Sequence, residues 1–225
     1  MNWKNQYIDL IHTLPTYILS IERDEEISRA RDALRKRCDK GVVVEIGSGS
    51  GHHLIELAAS NPDTLCVGFE IRYKRTFRTA EKAQERRLQN LIVVRGSAEL
   101  IPQLFEGILL DGVFINFPDP WSKRRWRKHR IMNREYLLRL CQSLRSHGFV
   151  SYKTDHREYF LTTLDLMKGL NCFELVEATE DLYQSDFLER NIQTEFEQLF
   201  LSKGLPVHYL KCLKVSEPGN ELQST

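Results

Sequence analysis

The chain has 225 residues, 41% of them hydrophobic and 28% charged, which is enough for one sizeable α/β domain and excludes wholesale disorder. Its 32 Lys and Arg against 31 Asp and Glu leave a net charge of +1, so no whole-molecule field draws in nucleic acid, and any such attraction must come from local clustering. Five cysteines, at 38, 66, 141, 172 and 212, are too scattered for a metal knuckle or a Cys-x-x-Cys pair, and they read as buried free thiols of a reducing compartment.

No apolar run approaches membrane-spanning length, and "MNWKNQYIDL" lacks the layout of a signal peptide. A soluble cytoplasmic protein is expected, with no membrane partner and no metal. Residues 1–40, charge-rich through "RDEEISRARDALRKRCDK", read as a helical extension. Strands follow at 42–46 (VVVEI), 65–71 (LCVGFEI), 91–95 (LIVVR) and 111–117 (DGVFINF), with a helix across 72–89 between the second and third. From Asn133 the residues Leu137, Leu140, Cys141 and Leu144 keep helical spacing until Gly148 ends the helix. A fifth strand at 149–154 precedes an amphipathic helix through Tyr159, Phe160, Thr163, Leu164, Met167 and Leu170, and strands at 173–178 and 208–215 complete the set. Strands alternating with crossover helices predict an α/β, Rossmann-like domain over 41–215: a seven-stranded, mainly parallel sheet with helices on both faces. Residues 216–225 read as a frayed tail.

The first strand runs into "EIGSGSGHH", placing Glu45, Gly47, Gly49 and Gly51 at its end. Glycines permit a tight turn and close approach of a ligand to the backbone. The pattern differs from the dinucleotide fingerprint, because His52 stands where its last Gly or Ala belongs, and there is no P-loop lysine. Glu70 ends the second strand, where a doubly wound fold places the acid that binds a ribose diol. An acid, a glycine loop and a second acid suit a ribose-bearing, cationic ligand without pyrophosphate, which S-adenosylmethionine satisfies. The bland alternative is two solvated strand-end charges around an ordinary turn.

The fourth strand ends in "FPDPW". Pro118 and Pro120 fix their own φ and restrict the residues before them, so Asp119 is expected to be rigid and extended at a ligand-binding strand end. The alternative is a proline turn with Asp119 as a cap. Directly after it, Lys123, Arg124, Arg125, Arg127, Lys128 and Arg130 crowd around Trp126. Basic side chains neutralise phosphates, and Trp121 or Trp126 offers a face for a base. The alternative is a solvated charged face, and the run from Arg72 to Arg87, interrupted by Glu81 and Glu85, carries that alternative more strongly.

Taken together, "EIGSGSG", "GFE" at 68–70, "NFPDPWSKRRWRKHR" at 116–130, "TD" at 154–155 and "TEFE" at 194–197 resemble the bacterial tRNA (guanine-N(7)-)-methyltransferases across roughly residues 40–205. The resemblance implies a class I methyltransferase fold, S-adenosylmethionine as donor with S-adenosylhomocysteine as product, and a guanine of the tRNA variable loop as acceptor. It implies that Glu45, Gly47, Gly49, Gly51, Glu70, Ser97, Ala98, Asn116 and Asp119 form the cofactor site, with Asp119 also catalytic. It implies that Lys123, Asp155, Thr194, Glu195, Phe196 and Glu197 bind substrate. Two positions depart from the pattern: Ser97-Ala98 replaces the usual Asp-Ala near the adenine, and Phe200 replaces a glycine, although Gly204 is kept. From the residues alone, "TEFE" also fits a capping box, and Asp155 with Glu158 fits a helix start.

Ring nitrogen 7 of guanine has an in-plane lone pair and no proton, so the chemistry needs orientation and desolvation more than a base. RNA helices hide this atom in a deep, narrow groove, so the target must lie in a loop or be unstacked. Three other readings compete. An exocyclic-amine methyltransferase commonly carries Asn/Asp-Pro-Pro-aromatic, which "PDPW" does not match. A non-catalytic RNA-binding protein would have a vestigial cofactor site. A small-molecule methyltransferase leaves the basic block without a task.

Overall fold

Val42, Val43 and Val44 form a β-branched run that is buried on both faces, as a strand of a parallel sheet covered on both sides is. This is one of eight strands in the computed structural model of the chain, which describes residues 5–219. By internal packing the chain divides after Ile108 into two compact units.

The first unit holds β1 (Ile18–Ser20), β2 (Val42–Ile46), β3 (Leu65–Glu70) and β4 (Leu91–Arg95), in the spatial order β1-β4-β3-β2 and all parallel. Its helices are α1 (Tyr7–Leu10), α2 (Asp24–Arg35), α3 (His52–Ser60), α4 (Tyr73–Glu85) and α5 (Ile101–Leu104). Helix α3 connects β2 to β3, and α4 connects β3 to β4. The register pairs Ile46 with Phe69 and Glu70 with Arg95, so the carboxyl ends of these strands lie side by side. That adjacency gathers the residues following each strand into one place.

The N-terminal segment is more than a helical extension. Ile18–Ser20 adds a strand beside β4, giving eight strands among the described residues instead of the expected seven. Three residues carry too little periodicity to declare a strand; the edge of β4 recruits them. Helix α2 buries Ile27, Ala30 and Leu34 on one stripe. Its charges are tied down: Arg31 Nε donates to Gln103 O at 3.0 Å, and Arg35 Nη2 donates to Glu106 O at 2.9 Å.

The second unit holds β5 (Leu110–Asn116), β6 (Leu144–Thr154), β7 (Phe173–Thr179) and β8 (His208–Lys214), in the order β5-β6-β8-β7. Strands β5 and β6 are parallel, and β8 runs antiparallel to both its neighbours. Helices α6 (Arg134–Ser143), α7 (Arg157–Lys168) and α8 (Glu195–Leu201) complete it. The helix expected to reach Gly148 stops at Ser143. Buried Leu144 pairs with Leu110, the chain bulges through 145–148, and pairing resumes at Phe149 with Gly112. Gly148 serves that bulge, since a Cβ there would sit 2.9 Å from Arg145 O and 3.0 Å from Leu110 O.

All five cysteines are free, four of them buried, and burial pushes the thiols of Cys66 and Cys212 up to about 12. No helix of the described residues is long and apolar enough to cross a membrane. Of the expected tail, Ser216 Oγ donates to Asn171 O at 3.2 Å and Glu217 pairs with Lys214 at 2.7 Å, while 220–225 lie outside the described residues, as do 1–4.

Candidate active site

In the first unit, β2 ends in a loop whose three glycines all have positive φ: Gly47 at 71°, Gly49 at 58° and Gly51 at 82°. At Gly51 a second constraint acts, because a Cβ would lie 2.3 Å from Thr79 Cγ2 on α4. The side of the loop at Gly47 is clear, with nothing within 4 Å of where a Cβ would stand. Helix α4 fixes the loop from behind. Thr79 Oγ1 lies 3.3 Å from Gly49 O, and Lys82 Nζ donates to Ser50 O at 3.0 Å. Lys82 thus spends its charge on the loop, and Arg86 pairs with Glu56, so part of the basic run on α4 is structural.

Glu45, 2% exposed, has an oxygen 3.2 Å from Nδ1 of the equally buried His53 on α3. Glu70, 5% exposed, accepts from Arg72 N at 2.8 Å, which fixes its carboxylate at the start of α4. Ser97 Oγ accepts from Glu99 N at 3.2 Å, capping a short 3-10 turn that holds Ala98. Beside Ser97 opens a cavity of about 370 Å³ lined by Ile21, Glu22, Ile71, Tyr73, Arg95 and Gly96 as well. Tyr73 donates to Glu22 at 2.6 Å, and the Arg95 guanidinium lies over the Tyr73 ring at 4.1 Å. The N-terminal segment therefore supplies Ile21 and Glu22 to this pocket, a role with no motif to signal it.

In the second unit, β5 delivers buried Asn116, paired in register with Lys153, and then turns sharply. Phe117 and Trp121 both have left-handed backbone, φ 49° and 42°, on either side of Pro118-Asp119-Pro120. Bulky side chains avoid that region, and each such residue costs on the order of 1–3 kcal/mol. Three contacts hold the corner. Phe117 N donates to Lys153 O at 2.8 Å. Arg130 Nε donates to Pro120 O at 2.8 Å. Ser122 Oγ lies 3.2 Å from His156 Nε2, and His156 Nδ1 accepts from Tyr159 N as the cap of α7. With Nδ1 accepting, Nε2 carries the proton and donates to Ser122. Asp119 itself is exposed, and its carboxylate has no hydrogen bond or ion pair among the described residues. It is not a turn cap.

The basic block winds into a 3-10 helix, Arg124–His129. Lys123 Nζ and the Arg125 guanidinium lie 4.8 and 5.0 Å from the Trp126 ring, and Trp126 meets Trp121 edge-on at 6.2 Å. Lys123, Arg124, Arg125, Arg127 and Lys128 are exposed. Arg130 differs. It is 5% exposed, its Nη2 donates to Glu158 at 2.7 Å, and its guanidinium covers the Tyr159 ring at 4.4 Å. Its charge is turned inward, so it is a brace of the corner and not a phosphate contact. The same pairing holds the Glu158 carboxyl below its ordinary value, through the hydrogen bond from Arg130 first.

The "TEFE" segment does form the capping box of α8: Thr194 Oγ1 accepts from Glu197 N at 3.1 Å and Glu197 accepts from Thr194 N at 3.0 Å. Glu197, fully buried, also receives Lys153 Nζ at 2.8 Å, Tyr183 Oη at 3.0 Å and Asn191 Nδ2 at 2.8 Å. Every lone pair is engaged, so Glu197 shapes the segment from inside. Burial pushes the Tyr183 phenol up to about 12, which keeps it a donor to Glu197. Glu195 and Phe196 face outward. Phe200, at the position where the resemblance expects a glycine, meets Phe117 at 5.3 Å in a tilted pair and ties this segment to the acidic corner. Asp155 does not cap α7, since His156 does; its half-buried carboxylate follows β6 with no hydrogen bond or ion pair among the described residues. Among the described residues, no group of three or more His, Cys, Asp or Glu is placed to hold a metal ion.

Two outcomes follow from these contacts. Lys153→Met strands a buried carboxylate, and chemical denaturation should show a loss of about 3–5 kcal/mol; a change under about 1 kcal/mol contradicts the reading of Lys153 as the lock of this segment. For Glu158, a depressed carboxyl contributes stability that is complete above its unfolded value, near 4.5, and is lost as pH falls through the lower folded value. The melting temperature should therefore drop on acidification below about pH 4.5 in the parent protein, and less steeply in Glu158→Gln; identical slopes contradict the brace.

Comparison with known proteins accords with this geometry. The family model described as "Putative methyltransferase" matches residues 39–210. A tRNA (guanine-N(7)-)-methyltransferase of Lachnoclostridium phytofermentans is 37% identical over 176 residues, 78% of this chain and 82% of that one. A bifunctional glycosyltransferase/methyltransferase of Fusobacterium nucleatum is 35% identical over 77% of this chain, which spans only 27% of that protein. The crystal structure of the 16S rRNA methyltransferase KamB superposes with a TM-score of 0.60 at 17% identity, over 86% of this chain and 94% of that one, and establishes the class I methyltransferase fold. On the strength of the family match and the relatives of this identity and coverage, the chain belongs to the tRNA (guanine-N(7)-)-methyltransferase family.

Proposed function

We propose that this protein transfers the methyl group of S-adenosylmethionine to ring nitrogen 7 of a guanine in the variable loop of tRNA. One observation carries the reading: a strained, braced corner presents the exposed Asp119 directly before a 3-10 helix of exposed basic and aromatic side chains, of which Arg127 reaches back to Glu158 at 3.2 Å. Strain of this kind is kept where a side chain must be aimed.

The residues of the first unit fit the donor. Gly47 leaves its side of the loop clear, and Glu45 and Glu70 are buried acids, suited to a cationic amino group and a ribose diol. Ser97, Ala98 and the adjoining cavity would take the adenine end. S-adenosylmethionine supplies an electrophilic methyl on a sulfonium. On the acceptor side, Asp119 accepts hydrogen bonds from donor hydrogens of the guanine and so aims nitrogen 7. It removes no proton, since that nitrogen has none. Lys123 with Arg124, Arg125, Arg127 and Lys128 neutralises phosphates, and Trp126 or Trp121 takes an unstacked base. Asp155 and the outward side chains of the 194–197 segment complete the substrate side.

Nucleoside analysis of tRNA after reaction, with the position mapped, tests this. Asp119→Ala should keep its fold and lose roughly a hundredfold or more in methyl transfer, the scale of lost orientation. 7-Methylguanosine should be the product; methyl found only on adenine or cytosine amines contradicts the proposal.

A further inference from the structure

We propose that Phe117, Phe196 and Phe200 form a stacking platform for an unpaired nucleobase of the tRNA, a second base contact apart from the basic block. The proposal rests on the tRNA reading above, which already puts Phe196 on the substrate side, and deepens it by giving that surface an occupant and two further rings. The three rings form one cluster: Phe196 and Phe200 stack at 6.2 Å and 20°, and Phe117 lies tilted against both, 5.3 Å and 30° from Phe200 and 6.0 Å and 32° from Phe196. Phe196 is 42% exposed, which leaves ring surface open to solvent.

The platform is rigid. Phe117 packs against the buried cluster of Leu182, Val207 and Tyr209. Helix α8, which carries Phe196 and Phe200, is held by the Glu197 box and Lys153. A rigid aromatic face loses little conformational entropy on binding, and stacking on it tolerates any base. Its position selects the occupant. Phe117 is two residues from Asp119, so a base on this surface belongs to the same RNA segment as the guanine that Asp119 aims. Lys203 Nζ stands 6.0 Å from the Phe200 ring centroid, offering a cation to the backbone of that nucleotide. A flat apolar surface alone would suit a second copy of the chain; the adjoining cation and acid corner favour a nucleotide.

The test compares Phe196→Ala, Phe196→Trp and, as an aliphatic control on the same helix, Leu199→Ala, which is 45% exposed. Direct tRNA binding, the KM for tRNA and the KM for S-adenosylmethionine are measured for each, with sedimentation for oligomeric state. Phe196→Ala should weaken tRNA binding and raise its KM by roughly tenfold or more, leaving the donor KM unchanged, while Phe196→Trp restores it and Leu199→Ala has little effect. Unchanged tRNA binding in Phe196→Ala overturns the platform even if the parent makes 7-methylguanosine. So does a loss of self-association in Phe196→Ala with tRNA affinity intact. Weakened tRNA binding in a protein that methylates some other atom leaves the platform standing and removes the nitrogen-7 reading.

Discussion

The arrangement of the proposed acceptor side depends on one buried cation. Arg130 closes a ring of contacts around the corner from Phe117 to Trp121: its Nε on Pro120 O, its Nη2 on Glu158, its plane on Tyr159. A buried guanidinium is costly unless all its partners are present, and here they are. The two left-handed bulky residues cost on the order of 1–3 kcal/mol each, a sum that proline stiffness alone does not offset. Arg130, the Phe117–Lys153 backbone bond and the Ser122–His156 contact together make the strained path the stable one. The result is an aspartate aimed outward from a chain that cannot relax behind it.

The proposed donor side solves a related problem with different means. Its loop is strained only in the sense that no side chain fits; glycine removes the penalty, and Thr79 and Lys82 then fix what glycine leaves loose. In both units a helix behind the site restrains the loop in front of it: α4 for the glycine loop, α7 for the acidic corner. The 194–197 segment follows the same logic, with Lys153 on β6 locking Glu197 on α8.

Strands β2 to β5 are legible in the sequence as apolar, β-branched runs that end at glycine, proline or acid, and β7, β8 and the 149–154 part of β6 as shorter apolar runs, whereas 144–148 of β6 reads as the end of a helix. Strand β1 is not legible, since three residues carry no period and pair only because β4 offers an edge. Gly148 was misread as a helix end because a bulge and a C-cap both demand glycine. At the site, the motif showed where Asp119 and the charges lie but not which way they point. Arg130 looks like Arg127 in the sequence; burial alone separates them. From the residues alone "TEFE" reads as a capping box, and only the resemblance makes it a substrate segment; the structure forms the box, with Glu197 inward and Phe196 outward. The pocket residues Ile21 and Glu22 gave no signal, because their role comes from tertiary placement beside Ser97.

A double-mutant cycle on Arg130 and Asp119 tests the brace most directly. Single-turnover methyl transfer to tRNA would be measured for the parent, Arg130→Gln, Asp119→Asn and the double variant, at a temperature where circular dichroism shows all four folded. If Arg130 acts by holding Asp119 in place, the double variant is no slower than Asp119→Asn alone, because a misplaced group that is already disabled has nothing further to lose. Losses that simply add would mean that Arg130 acts independently of the corner and would contradict the account.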